Sequence, residues 1–323
     1  MLKHPDNSRR KQLLPEQLQN VYLPDPPVDV LLLNGKDVID FIHRMSTNEV
    51  RNLVEGTGTT TIFTNEKGRI IDVVDLYYLN GSIHLVHSRG AKDAIKKIFD
   101  KYVIMEDVDV SEYPEYSCIL EFDGSTGSKE VFSGESGSIE MSSPRLYPGG
   151  KLFYIEKKNI DEFGLVKSGK PIELIDFNSL RLEFGVSLFG SDFDDSVNPL
   201  ESNLQDFVSW TKGCYIGQEV IARLDTYQKI KRFLKGVVLD SILEDNTIQL
   251  LESGENKVTA ISGNGSVAGA VTSIGFSPHL QKSIALVRFE KGNESTGNRV
   301  KVNIGEEHYS GKIADLPFIR SDN

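Results

Sequence analysis

Chemistry in this chain is most readily placed on one sulfur. Cys214 stands in WTKGCYIGQEVIARLD, Trp210 to Asp225, with Lys212 two residues before it. Gly213 and Gly217 leave the turn bare, and Val220, Ile221 and Leu224 give the run from Gln218 a helical apolar face. A cysteine just ahead of a helix N-terminus, near an ammonium, has its thiolate favoured, so the spacing predicts a thiol that ionises below about 8.5. The competing reading is a packed core residue, because free cysteine is among the most buried residue types. Labelling of the folded protein separates the two. Cys118, inside the apolar SCILEF, reads as a core strand residue.

Arg181 is the second candidate. On a helix, Phe177, Leu180 and Phe184 form one stripe with Arg181 on its edge. A guanidinium held against an apolar face needs an anionic partner. A ligand carboxylate would serve, and so would Glu183 or an acid on another domain. Asp192, Asp194 and Asp195, in GSDFDDSVNPLESN, lack the glycine and terminal glutamate of an EF-hand loop and read as solvated loop. Two distant cysteines and six scattered histidines make neither a disulfide framework nor a metal set. No GxGxxG precedes a helix, so no dinucleotide site is expected.

The elements that position these residues follow from pattern. At 323 residues, 39% hydrophobic and 26% charged, the chain has the length and composition of a soluble protein of two or three domains. Its net charge of −11 opposes direct binding to phosphate backbones. No apolar run approaches the roughly 20 residues that cross a bilayer, so no membrane partner is expected. MLKHPDNSRRKQLL has no apolar segment behind it and reads as a frayed arm, with a reducing, cytoplasmic setting expected. After Asn34-Gly35, Val38, Ile42 and Met45 predict a helix. Apolar runs flanking Asn80-Gly81 predict a hairpin, and Ala91 to Tyr102 predict a second helix. The stretch from Glu121 to Pro144 reads as loop between short strands, and Asp176 to Gly185 as a helix capped by Asp176 or Asn178. Beyond Arg232, FLKGVVLD, TIQLLE, KVTAIS, AGAVTSIGF, SIALVRF and VKVNIG predict a small antiparallel barrel.

The segment KGCYIGQEVIARLDTYQKIKR resembles the signature of the YgfZ family, folate-binding iron–sulfur maintenance proteins related to the glycine-cleavage T-protein (aminomethyltransferase). NGKDVIDFIHRMSTNEVRNL, TNEKGRIID, LRLEFGVSLFG, NPLESNL, GAVTSIGFSP and IADLPF extend the resemblance from about Leu31 to Phe318. It implies an α+β fold in which two α/β sandwich domains and a C-terminal antiparallel β-barrel surround a folate-sized opening. On that reading the chain divides into an arm (1–25), an α+β ferredoxin-like domain (26–110), a second α+β domain carrying the KGCYIGQE motif (111–230) and the barrel (231–323). The resemblance implies Cys214 as the functional thiol with Lys212, in a motif completed by Gly213, Tyr215, Gly217, Gln218 and Glu219. It implies tetrahydrofolate or a derivative as ligand, held by Arg181, with Tyr77 a further candidate contact, and no metal held by this chain alone. The implied partners are iron–sulfur client enzymes, some of them modifying tRNA, or cluster-assembly proteins, with no direct nucleic acid. Two departures oppose T-protein chemistry. Where that protein has the paired acids of GGIIDDL, this chain reads Gly68-Arg69-Ile70-Ile71-Asp72-Val73. No counterpart of its TGE glutamate is found near Pro148-Gly149-Gly150-Lys151. The alternative functions are a tetrahydrofolate-dependent aminomethyltransferase and a binding module with a structural cysteine.

Overall fold

The computed structural model describes residues 20–122, 131–133, 138–143, 145–244, 259–262, 265–305 and 307–319. The elements begin with β1 (Val21–Pro24), β2 (Val28–Asn34), α1 (Val38–Met45), β3 (Gly58–Thr64), β4 (Ile70–Leu79), β5 (Ser82–Ser88), α2 (Lys92–Tyr102) and β6 (Asp109–Glu112). There follow β7 (Tyr116–Phe122), β8 (Val131–Ser133), β9 (Ile139–Ser142), β10 (Gly150–Glu156), α3 (Gly164–Ser168), β11 (Lys170–Pro171), α4 (Leu174–Glu183) and α5 (Gln218–Thr226). Last come β12 (Arg232–Leu239), β13 (Thr259–Ser262), β14 (Val267–Ser277), β15 (Lys282–Glu290), β16 (Arg299–Ile304) and β17 (Glu307–Ala314).

Period-two alternation builds the first sheet, ordered β3-β4-β5-β2-β6. Val74 and Leu76 of β4 face α1 and α2, in a core with Leu31, Leu85, Phe41 and Phe99. Val73, Tyr77 and Leu79 face the opposite side. The hairpin turns at Asn80 and Gly81, both in the left-handed region (φ 54° and 76°), as a turn matched to strand twist requires.

That opposite side carries two layers. Tyr77, Leu79, Val86 and Val30 pack against the second sheet, ordered β11-β1-β7-β10-β9-β8. Ile62, Ile70 and Val73 pack against Phe193, Val197, Leu204, Val208, Tyr215 and Ile221. The segment carrying Cys214 therefore packs on the first sheet, which corrects its assignment to the second domain. The arm is also corrected. Val21–Pro24, assigned to the arm of 1–25, is the strand between β11 and β7, with Val21 and Leu23 buried, while MLKHPDNSRRKQLL, read as frayed, lies outside the described residues. Four residues beside a proline cluster are too few to show a period.

Of the segment read as loop, β8 and β9 are described and residues 123–130, 134–137 and 144 lie outside the described residues. Helix α4 starts two residues before Asp176. Glu173 is its N-cap, and Asp176 returns a side-chain oxygen to the Glu173 N–H, completing a capping box. The barrel closes in the order β12-β15-β14-β13-β16-β17. TIQLLE lies outside the described residues, and β17 was not foreseen. Leu182 of α4 packs with Leu234, Ile284 and Leu286, so this helix joins the second sheet to the barrel. No helix among the described residues is long and apolar enough to cross a membrane.

Candidate functional site

The approach to Cys214 is built on turns rather than long elements. Asn198 caps a short 3-10 helix at Pro199–Ser202, its side chain accepting from the N–H groups of Leu200 and Glu201. Glu201 is buried and held by Arg69 (3.1 Å) and Arg232 (3.0 Å), which ties the β3–β4 turn to the first barrel strand. Further on, Thr47 Oγ1 donates to the Phe207 carbonyl (2.7 Å), and the Ser209 N–H donates to the Thr47 carbonyl (3.0 Å).

The loop from Ser209 to Gly217 is then fastened at both ends. Lys212 Nζ donates to the carbonyls of His43 (2.6 Å), Ser46 (2.7 Å) and Asn48 (2.7 Å). An ammonium has three N–H donors, and all three are engaged. Ser46 is the C-cap of α1, so the charge sits at the carbonyl end of that helix, where the dipole favours a cation. Burial nevertheless pulls the Lys212 pKa down to about 8. At the other end Thr64 Oγ1 donates to the Ile216 carbonyl (2.6 Å). Gly217 has φ +85°, and a Cβ there would stand 2.6 Å from the Asn65 carbonyl oxygen. Tyr215 is buried in the apolar layer, which pushes its hydroxyl up to about 12. Between these anchors Cys214 is exposed, with Gly213 before it in open space.

Lys212 is thus a fastening of the backbone and not a cation free to pair with the thiolate, a correction to the sequence reading. The two motif glycines also differ: Gly217 permits a close approach, whereas no neighbour constrains Gly213. Gln218 and Glu219 begin α5, Gln218 half-buried and Glu219 exposed in its first turn. Cys118 is buried, which pushes its thiol up.

Arg181 has its anionic partner in Asp192, eleven residues on, and not in Glu183 or an acid of another domain. Its Nη1 pairs with Asp192 at 2.8 Å, and further N–H groups donate to Asn178 (2.9 Å), the Val186 carbonyl (2.7 Å) and Ser273 (2.9 Å). Arg181 is 2% exposed and Asp192 0%. Asp192 is therefore no solvated loop residue: Thr272 and Ser273 of β14 also donate to it, at 2.6 Å and 2.7 Å. Tyr77 is fully buried, its hydroxyl donating to the Ser142 carbonyl, and burial beside Asp75 pushes its pKa up. As drawn from the sequence, these two residues do not fit a folate: their polar atoms are turned to internal partners. Val73 is 1% exposed in an apolar layer, so no proton-exchanging group stands there.

Two cavities adjoin the Cys214 segment. One, of about 450 Å³, lies between Trp210 and Asp225 on one side and Phe233, Lys235 and Leu316 on the other. The second, about 170 Å³, lies beside Ile216 against α2. Neither is lined by Arg181 or Tyr77. The sequence reading passed over Trp210, which is 48% exposed. It also missed a sealed polar group on the first sheet. Asp75 accepts from Thr60 (2.6 Å) and pairs with Arg145 (3.1 Å). Asp72 accepts from the Ser88 N–H (2.8 Å), and burial raises its pKa to about 6. Asp72 Oδ1 and Arg145 Nη2 have no hydrogen-bond partner among the described residues. The signal in the sequence was Asp75 itself, an acid interrupting the apolar run IIDVVDLYYL. Among the described residues no group of His, Cys, Asp and Glu is arranged to hold a metal.

Comparison with known proteins agrees with this architecture. Residues 241–319 match the glycine cleavage T-protein C-terminal barrel domain. The mitochondrial aminomethyltransferase of Solanum tuberosum is 28% identical, over 90% of this chain and 77% of its own. The aminomethyltransferase of Nitrosococcus oceani is 26% identical, over 90% of this chain and 81% of its own. The crystal structure of the glycine cleavage system aminomethyltransferase T from Bartonella henselae superposes with a TM-score of 0.78 at 18% identity, covering 93% of this chain and 86% of that one, a likeness of fold. The matched barrel, the alignment over nine-tenths of the chain and the shared fold together place this protein in the superfamily of T-protein-like aminomethyltransferases.

Proposed function

We propose that this protein is a T-protein-fold accessory factor that meets iron–sulfur client or cluster-assembly proteins through the Cys214 thiol, its clients including cluster enzymes that modify tRNA. The observation that carries the reading is the contrast along one short loop. Lys212 and Tyr215 are each 8% exposed and fastened, while Cys214 between them is exposed. A lone thiol does not hold a cluster that usually takes four thiolates, so any cluster at this position is completed by a partner chain or by external thiols. Tetrahydrofolate is the ligand that the T-protein resemblance assigns to the fold. Arg181 and Tyr77 do not supply its contacts here, so the role of Cys214 is not routed through it.

The second reading is a tetrahydrofolate-dependent aminomethyltransferase, and the names of the aligned relatives favour it. Val73 counts against it: a buried valine offers no acid–base assistance, which is worth roughly 10²–10⁴-fold in rate. The two separate in one assay of the purified protein with an aminomethyl donor and tetrahydrofolate. The accessory reading expects no tetrahydrofolate-dependent turnover. Turnover at an ordinary enzymatic rate, undiminished in Cys214→Ser, overturns it in favour of the transferase.

A further inference from the structure

We infer that Lys212 is a positioning residue for Cys214: its ammonium binds the carbonyl end of α1 and thereby fixes the loop that presents the thiol. The inference rests on the reading of Cys214 as the functional group. Its own support is geometric. The three carbonyls that Lys212 engages belong to residues 164–169 positions earlier in the chain, so these bonds join two distant segments. They are convergent, from His43, Ser46 and Asn48 at the end of one helix, and they saturate the donor set. Such an arrangement holds a backbone in place; a lysine serving the thiol would leave at least one donor free.

Within the loop itself the described bonds are longer ones, Lys212 N–H to Ser209 Oγ and Gln218 N–H to the Tyr215 carbonyl, each 3.3 Å. A Cβ at Gly213 would meet nothing within 4 Å, so from Lys212 to Tyr215 the path of the backbone is set by these two buried anchors. Thr64 and Gly217 then fix the exit onto the β3–β4 turn. With both ends held, the Cys214 sulfur is carried by one backbone course. With the Lys212 ammonium lost, Ser209 is still held by the Thr47 carbonyl, but the stretch from Trp210 to Gly213 loses its tie to the end of α1 and three carbonyls lose that donor.

The groups facing Lys212 are His43 and Glu49 on one side, Arg51 beyond them, and the Tyr215 ring, whose centroid is 5.4 Å from Nζ. Glu49 supports the ammonium and Arg51 opposes it. A neutral amine keeps only two N–H donors, so at most two of the three carbonyls remain served once Lys212 deprotonates.

The test is a spin label attached to Cys214 and read for mobility in the full-length protein; Cys118 is buried and stays unlabelled while the protein is folded. In the wild type the label is immobilised at neutral pH and gains mobility as pH rises past about 8, where Lys212 loses its proton. In Lys212→Met it is mobile throughout, with no change across that range, while circular dichroism reports an intact fold. If Lys212→Met fails to fold, the wild-type label carries the test: no gain in mobility as pH rises past about 8 overturns the inference. In cells lacking the gene, Lys212→Met restores cluster-enzyme activity at least about tenfold less well than wild type, since displacing a reacting group by an ångström costs on the order of 100-fold. A folded Lys212→Met whose label is as immobile as wild type overturns the inference. So does a mobile label with full restoration of activity. Full rescue by Cys214→Ser overturns the reading of the thiol instead, and leaves the mobility result to judge the fastening alone.

Discussion

Asp72 shows what burial does to one residue. Its carboxyl group is sealed on β4, and burial raises its pKa to about 6, with Arg145 and the Ser88 N–H pulling the other way. The folded state therefore binds a proton more tightly than the unfolded chain, whose aspartate ionises near 3.9. Stability from this group is present below about pH 4 and is lost as pH rises through 6. Asp72→Asn keeps an acceptor for Ser88 without the charge. It is expected to raise stability at pH 7 by about 2–3 kcal/mol and to flatten the pH dependence between 4 and 6, as denaturant titration would show. At this scale the sequence was informative about residue type and poor about direction. Cys214 could be singled out because glycines and a helix start surround it. Where the Lys212 side chain goes could not be read, because its partners are backbone carbonyls far away in the chain. The same holds for Arg181, whose need for an anion was legible while Asp192 was not.

Among the elements, the loop before α5 separates two glycines that look alike in the sequence. Gly217→Ala puts a Cβ 2.6 Å from the Asn65 carbonyl oxygen at a φ of +85°. That combination should cost more than about 1 kcal/mol, since both sterics and backbone oppose it, and should shift the Cys214 loop off the β3–β4 turn. Gly213→Ala meets nothing within 4 Å and has no left-handed φ. It should be neutral, or stabilise by up to about 1 kcal/mol through the unfolded chain. Thermal melts of both variants check the pair, and equal losses would contradict the account. The helices α1, α2 and α5 and the β4–β5 hairpin were legible because each carries a period and a boundary signal. Strand β1 and the start of α4 were not: one is four residues long, and the other is capped by Glu173, outside the common cap residues.

For the molecule as a whole, Asp192 is the joint. It binds Arg181 on α4, the Leu188 N–H of its own segment, and Thr272 and Ser273 of the barrel. Removing one partner of a buried pair leaves an uncompensated charge, so Asp192→Asn and Arg181→Met should each lose about 3–5 kcal/mol. Arg181→Met combined with Asp192→Leu should lose less than the sum, because the charge left behind by either single change is gone. Acid should also weaken the fold. Burial lowers the pKa of His84 to about 4 and holds those of His43 and His87 down. These rings contribute stability that is full above about 6.5 and is lost as pH falls towards 4, opposite in sign to Asp72. The barrel was legible from short strands and turn residues. The return of residues 189–230 to the first sheet was not, since chain order placed them after the second domain and only tertiary packing brings them back. The account's central claim is that Cys214 does the protein's work, and the most direct measurement is cluster-enzyme activity in cells lacking the gene and supplied with Cys214→Ser. The account predicts a folded serine variant, present at wild-type level, that fails to restore that activity. Full restoration would contradict it, because a hydroxyl has the size of a thiol without its nucleophilicity or affinity for iron.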